Sequence, residues 1–174
     1  MKLKKYLFKK VKSTNNTALK LIKTNHKKGA ILTEYQSNGR GQHGKKWISK
    51  KGNLFMTIFF EISKNLSNKK ITDLNISIIK KIISKKIKSN ISVKLPNDIL
   101  INKKKTCGIL QEIIFLNNIK FLVVGIGINI ISSPNLINYG ATHLNNYSNK
   151  KINKIKLFEE IKLGYEKNMK HFKK

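Results

Sequence analysis

The stretch TCGILQEIIFLNNIKFLVVGIGINI, residues 106–130, decides the fold. Two apolar runs rich in β-branched residues flank the pair Asn117-Asn118, and runs of that kind around a two-residue polar turn read as an antiparallel hairpin. Working outward, NLFMTIFFEI (53–62) is a further, mostly buried strand, AILTEY (30–35) another, and KYLFKKV (5–11) a short one. SVKLPNDILI (92–101) breaks at Pro96 and resumes as strand. Between these lie three helical patterns. Ser13 or Thr14 caps the first, whose inner face is Ala18, Leu19 and Ile22 and whose C′ position falls on Gly29. The second, 71–87, carries Ile71, Leu74, Ile78 and Ile82 at helical spacing with lysines on its other side, and the third runs over 155–172. The expectation is an α+β fold: a mixed, largely antiparallel sheet with helices packed on one face.

The chain has 174 residues, a length that suits one domain able to bury about 70% of the surface its unfolded form exposes. Thirty-seven cations stand against eight acids, a formal net charge of +29. That charge reads either as a nucleic-acid-binding surface, with lysines neutralising phosphates, or as a solvated surface written in a lysine-rich alphabet. The lysines spread over the whole length and form no single stripe, which favours the second reading, and no specific DNA binding is expected. Cys107 is the only cysteine, so no internal disulfide can form, and a reducing cytoplasm fits. The basic N-terminus lacks the apolar core of a signal peptide. No run reaches the roughly 20 apolar residues of a membrane helix, so a soluble chain without membrane contact is expected.

Three clusters carry chemistry. In NGRGQHGKKW (38–47), Gly39, Gly41 and Gly44 permit close backbone approach, so that successive N–H groups can converge on an anion. Arg40, the only arginine, offers a planar fork that grips a phosphate or carboxylate at two points, as lysine cannot. Lys45 adds charge, and Trp47, the only tryptophan, offers a face to a planar ring or else belongs to the core. In KLPNDILINKKKTCGILQE (94–112), Pro96 sharpens a turn that presents Asn97 and Asp98, with Lys105 across the hairpin. That pair either flanks a metal-bound phosphate or forms an ordinary polar turn, while Cys107 reads as a small buried apolar group. In GIGIN (125–129), the glycines within an apolar strand mark either a bulge or the approach of a ligand that Asn129 could meet.

In this order, STN (13–15), EYQxxGRGxxGxxW (34–47), GNLFMT (52–57), KxPND (94–98), KxxGIL (105–110) and GIGIN (125–129) resemble the catalytic domain of the biotin–protein ligases, members of the lipoate-ligase and class II aminoacyl-tRNA-synthetase-like superfamily. The resemblance covers essentially the whole chain and implies one catalytic domain over 1–174. It implies a two-step reaction: biotin and ATP, with Mg2+, give biotinyl-5′-AMP, which then acylates a lysine on the biotin carboxyl carrier protein of acetyl-CoA carboxylase. It places biotin near Ser13, Thr14, Asn15, Gln36 and the backbone of Arg40, Gly41 and Gln42. It makes Lys105 the cation shared by biotin's carboxylate and the α-phosphate. Asp98 would orient the attacking amine or the metal, and Arg40 would support catalysis. The adenylate would meet Gly39, Arg40, Lys45, Trp47, Asn97, Lys105 and Asn129. No metal ligands are assigned, and His43 has no partners for such a role.

Two departures from the family pattern stand out. Gln42 replaces an arginine that many members carry after GRG, which implies weaker retention of the adenylate, and Leu95 replaces a tryptophan. Neither an N-terminal helix-turn-helix nor a C-terminal SH3-like β-barrel is expected from the motif positions, and a homodimer is one possible assembly. The alternatives are a lipoate–protein ligase, which shares the adenylation logic but should lack KxPND, a cationic nucleic-acid-binding module, and a ligase fold that has lost its activity.

Overall fold

The structure is a computed structural model that describes residues 2–135 and 140–173. Its elements run β1 (Lys5–Val11), α1 (Thr14–Lys23), β2 (Lys28–Gln36), β3 (Leu54–Glu61), α2 (Asn68–Ser84), β4 (Ile91–Lys94), β5 (Asp98–Ile101), β6 (Lys104–Leu116), β7 (Ile119–Ile128) and α3 (Lys154–Asn168). The strands form one seven-stranded sheet in the order β1-β2-β3-β7-β6-β5-β4. β1 and β2 run parallel and every other neighbouring pair runs antiparallel. The α+β class and the largely antiparallel sheet expected from the sequence therefore hold.

The β6–β7 hairpin turns where the two asparagines stand. Leu116 pairs with Ile119, and Asn117 and Asn118 take φ of 49° and 61°. That left-handed pair matches the right-handed twist of the strands, and asparagine tolerates it better than most residues.

One part of the expectation changes: the helices cover both faces of the sheet. A parallel β1–β2 pair needs a crossover, and α1 supplies it by lying across one face. There Ala18 and Ile22 bury against Ile31, Phe59 and Val123. The alternate residues Leu32, Ile58, Phe60, Leu122 and Val124 point to the opposite face, where α2 and α3 close the larger core with Ile71, Ile79, Ile83, Phe158 and Tyr165.

A second correction concerns Gly29, which does not cap α1. The helix ends at Lys23, and Asn25 supplies the left-handed residue at φ 63°. Gly29 lies inside β2, where a Cβ would stand 2.6 Å from the Tyr6 ring and 2.7 Å from Phe59. Aromatic packing needs the glycine, and the helix end does not.

Candidate active site

Three sheet glycines prepare the site on the α1 face. Gly108 and Gly127 are register partners on β6 and β7, and Gly125 stands opposite Leu110. A Cβ on Gly127 or Gly108 would come within 2.4 Å and 2.6 Å of the Trp47 indole, and one on Gly125 within 2.3 Å of Asn15 Oδ1. The glycines of GIGIN and CGIL therefore admit the protein's own side chains, Trp47 and Asn15, directly onto the backbone. Trp47 is half-buried and does not belong to the core: it seats on the sheet and its remaining surface lines a cleft. Its Nε1 is buried with no hydrogen-bond partner among the described residues.

The loop that brings Trp47 here is a narrow double-back. Trp47 N–H donates to Gly39 O at 2.9 Å and Gly41 N–H to Lys45 O at 2.7 Å, while His43 and Gly44 turn the chain at φ 53° and 72°. Gly39 lies buried, its pro-Cβ position 2.6 Å from Trp47 O, and does not reach the cleft. Gly44 does not line it either, but the other residues assigned to the site do. Ser13–Asn15, Gln36, Arg40–His43, Lys45–Ile48, Asn97, Asp98, Lys105 and Asn129 enclose about 600 Å3. A second hollow of about 340 Å3, between the end of α2 and the start of α3, is lined largely by lysines and contains none of these groups.

Each wall has a local cause. Ser13 caps α1 by accepting from Asn16 N–H, so Thr14 and Asn15 occupy a helix start that lines the cleft. Thr14 donates from its backbone N–H (2.8 Å) and its hydroxyl (3.0 Å) to Gln36 Oε1. Gln36 Nε2 in turn donates to Ser49 Oγ at 3.3 Å. Asn15 is more fully engaged: Nδ2 donates to Glu112 Oε2 (2.7 Å) and Leu110 O (3.3 Å), and Oδ1 accepts from Thr57 Oγ1 (2.6 Å). Across the cleft, the turn at Leu95–Asn97 delivers Asp98 to the head of β5, opposite Gly108. Lys105 Nζ stands 2.8 Å from Asp98 Oδ1 and 5.6 Å from the centre of the Trp47 ring. Asn129 Nδ2 donates to Thr142 O, and Asn97 Nδ2 donates to Ile109 O.

Arg40 does something the sequence did not foretell. Its Nη2 donates to Glu112 Oε1 at 2.7 Å, and its Nη1 donates to Asn16 Oδ1 at 2.7 Å and to Glu112 Oε2 at 3.3 Å. The fork grips a carboxylate of its own chain. Glu112 and Asn16 are the residues sequence reasoning missed. One signal was available: an acid in the middle of a β-branched strand, in a chain with eight acids in all.

Burial pushes the Cys107 thiol well above its usual range, so it remains a neutral core group as expected. Among the described residues, no group of three His, Cys, Asp or Glu could hold a metal ion. Nor, among them, is any helix long and apolar enough to cross a membrane.

Comparison with known proteins places this geometry in context. The Biotin/lipoate A/B protein ligase family profile matches residues 7–129. The bifunctional ligase/repressor BirA of Bacillus subtilis is 30% identical over 168 residues, which cover 92% of this chain and 52% of the relative. The chain thus spans about half the length of that relative. The biotin protein ligase of Aquifex aeolicus, solved in complex with biotin and ATP, superposes with a TM-score of 0.81 at 25% identity, covering 98% of this chain and 72% of that one. The biotin protein ligase of Leishmania major in complex with biotin gives 0.77 at 25% identity, covering 91% and 71%.

Proposed function

The chain belongs to the biotin/lipoate A/B protein ligase family, and from that premise we propose that it is a biotin–protein ligase. It joins biotin to ATP as biotinyl-5′-AMP and passes the biotinyl group to a lysine of a biotin carboxyl carrier protein. The observation that carries this reading is the cleft itself. One partly buried ion pair (Lys105–Asp98), one indole face and one helix start converge on a single hollow, from sequence segments that lie far apart. The likeness to ligases solved with biotin and with ATP supports the same reading. The described residues share one sheet and one main core, which supports a single catalytic domain.

The chemical difficulty of the first step is bringing two anions together. A carboxylate oxygen of biotin attacks the α-phosphorus, a P–O bond forms, and the bond to pyrophosphate breaks. Fixed cations and backbone donors lower the cost of the charge that develops. We assign Lys105 to that charge, with Asp98 holding its ammonium in place and Lys45 adding to the field at the loop. Thr14, Gln36 and the backbone of residues 40–42 are assigned to biotin's ureido ring, whose buried polar groups need partners. Ser13 and Asn15 shape that wall. Trp47, Asn97 and Asn129 are assigned to the adenylate. In the second step the carrier amine attacks the acyl carbon, AMP leaves, and Asp98 is the group we assign to the amine's proton. It is the only carboxylate among the described residues lining the cleft. A single carboxylate in the lining does not form a protein cage for Mg2+; the ion would arrive on the phosphates of ATP, and no step here depends on it.

The cationic surface suits an acidic carrier, steered in at low ionic strength. The buried thiol suits the cytoplasm. The test is biotin-dependent exchange between ATP and pyrophosphate, run beside the same assay with lipoate. Exchange with biotin and not with lipoate is the expected result. Exchange with lipoate alone would move the chain to the other branch of its family, and exchange with neither would remove the activity.

A further inference from the structure

We infer that Glu112 is a positioning residue of this cleft: its carboxylate clamps Arg40 and Asn15 and so holds the glycine-rich loop over the sheet. The inference rests on the ligase reading for its kinetic consequences, but its structural content stands on this chain alone. Glu112 gathers three segments at one point. It accepts from both terminal nitrogens of Arg40 on the loop and from Asn15 Nδ2 on α1, while it is itself carried by β6. Asn16, one residue further along α1, takes the remaining direction of the Arg40 fork.

The loop has little else to hold it. Three of its backbone bonds, Gly41 to Lys45, Lys45 to Gln42 and Trp47 to Gly39, lie within the loop itself, and Asn38 N–H ties only its start to Lys12 O at 2.8 Å. Besides the Arg40 clamp, Gln36 reaches Ser49 at 3.3 Å just past the loop, and Trp47 rests on the bare backbone at Gly108 and Gly127. An indole seat is apolar and fixes distance from the sheet, but not direction along it. A two-point pair between a planar guanidinium and a carboxylate fixes direction as well. That requirement explains why the single arginine of a lysine-rich chain stands at position 40. A lysine there could reach one oxygen of Glu112, not both, and could not also hold Asn16.

The fork therefore serves the loop, and the loop serves the ligand. With both terminal nitrogens engaged, Arg40 aligns the backbone of residues 40–42, and substrate anions meet Lys105, Lys45 and backbone N–H groups instead of the guanidinium.

The experiment combines two readouts on the whole chain. Hydrogen exchange of residues 39–47 and acrylamide quenching of Trp47, the only tryptophan, report loop placement without any substrate. Steady-state exchange kinetics report kcat and KM for biotin. Glu112→Gln should speed amide exchange in the loop about tenfold and raise quenching, with β3 and β7 protection unchanged. It should raise KM for biotin about tenfold with kcat altered less than threefold. Arg40→Lys attacks the same pair from the other side and carries the test if Glu112→Gln does not fold. The double variant should be no worse than either single one, because both remove one interaction. Loop protection equal to wild type in a folded Glu112→Gln protein, or losses that multiply in the double variant, would overturn the clamp. A wild-type chain that shows the loop effects but no biotin-dependent exchange would instead sink the ligase reading and leave the clamp standing.

Discussion

A lysine at position 40 would offer Glu112 one ammonium; the arginine offers two parallel N–H donors and a third direction to Asn16. Lys105 poses the opposite case, because a compact ammonium fits where one point charge must lie beside Asp98 and over an indole edge. Replacing Lys105 with alanine should lower kcat/KM for pyrophosphate exchange by about 10^2–10^3-fold, the usual loss when one preorganised charge is removed from a developing anion. Undiminished turnover would cancel the assignment. Gln42 lines the cleft from the turn at Gln42–Gly44. On the proposed ligase reading, a neutral amide there provides no cation for the adenylate's phosphate where the family pattern has an arginine, so Gln42→Arg should slow the appearance of free biotinyl-AMP in solution. Equal release rates for the two proteins would dispose of that idea.

Among the elements, the strands were legible because their apolar runs are long and their breaks are marked by Asn117-Asn118 and Pro96. The helices were legible from their spacing, though α2 begins at Asn68 behind a Ser67 cap, earlier than the isoleucine pattern suggests. What the linear pattern concealed was direction. Nothing in residues 5–36 announces that two strands and a helix form a parallel crossover, and so the side taken by α1 was misplaced. The caps act at this scale. Asn153 Oδ1 accepts from Ile155 N (2.9 Å) and Lys156 N (3.0 Å) at the start of α3. Asn153→Ala should cost about 1 kcal/mol of stability, read as a lower urea midpoint. Exchange activity should be unaffected, since Asn153 borders the lysine-lined hollow and not the cleft.

At the scale of the molecule, a net charge of +29 makes each acid conspicuous. Three of the eight, Glu159, Glu160 and Glu166, sit on α3, and each meets a lysine. Glu166 also accepts from Leu3 N–H at 2.6 Å, which ties the chain's beginning to its last helix. Burial alone would raise the Glu166 carboxyl, but the Leu3 amide and Lys162 outweigh it and hold the group below its ordinary value of 4.5. The unfolded chain therefore binds this proton more readily, and stability rises with pH across that window. Glu166 should contribute fully above pH 4.5 and lose its contribution as the pH falls through its lowered value. Unfolding midpoints of wild type and Glu166→Gln should thus differ at pH 7 and converge in acid. A gap that persists unchanged once the carboxyl is protonated in acid would show the contact is not ionic in origin. Two other acids, Asp98 and Glu112, pair with Lys105 and Arg40 at the cleft, so the general field comes from surface lysines while local geometry comes from pairs.

The linear order of residues determined the strands, their turns and the α+β class, because periodicity and turn residues are local properties written along the chain, and the resemblance of its motifs to the family marked most of the cleft's walls. Asp98, Trp47 and Arg40 could be chosen from the linear order itself, each having an uncommon side chain for its surroundings, whereas Lys105, the last of three consecutive lysines, is singled out by the resemblance of KxxGIL to the family motif. Their partners could not. Whether Gly125 faces a ligand or Asn15, and whether the Arg40 fork takes a substrate or Glu112, depends on which segments fold onto one face of the sheet. Those contacts join residues 110 and 72 positions apart in sequence. Short-range pattern carries no information on such pairings; only the crossover of α1 and the register of β6 with β7 decide them.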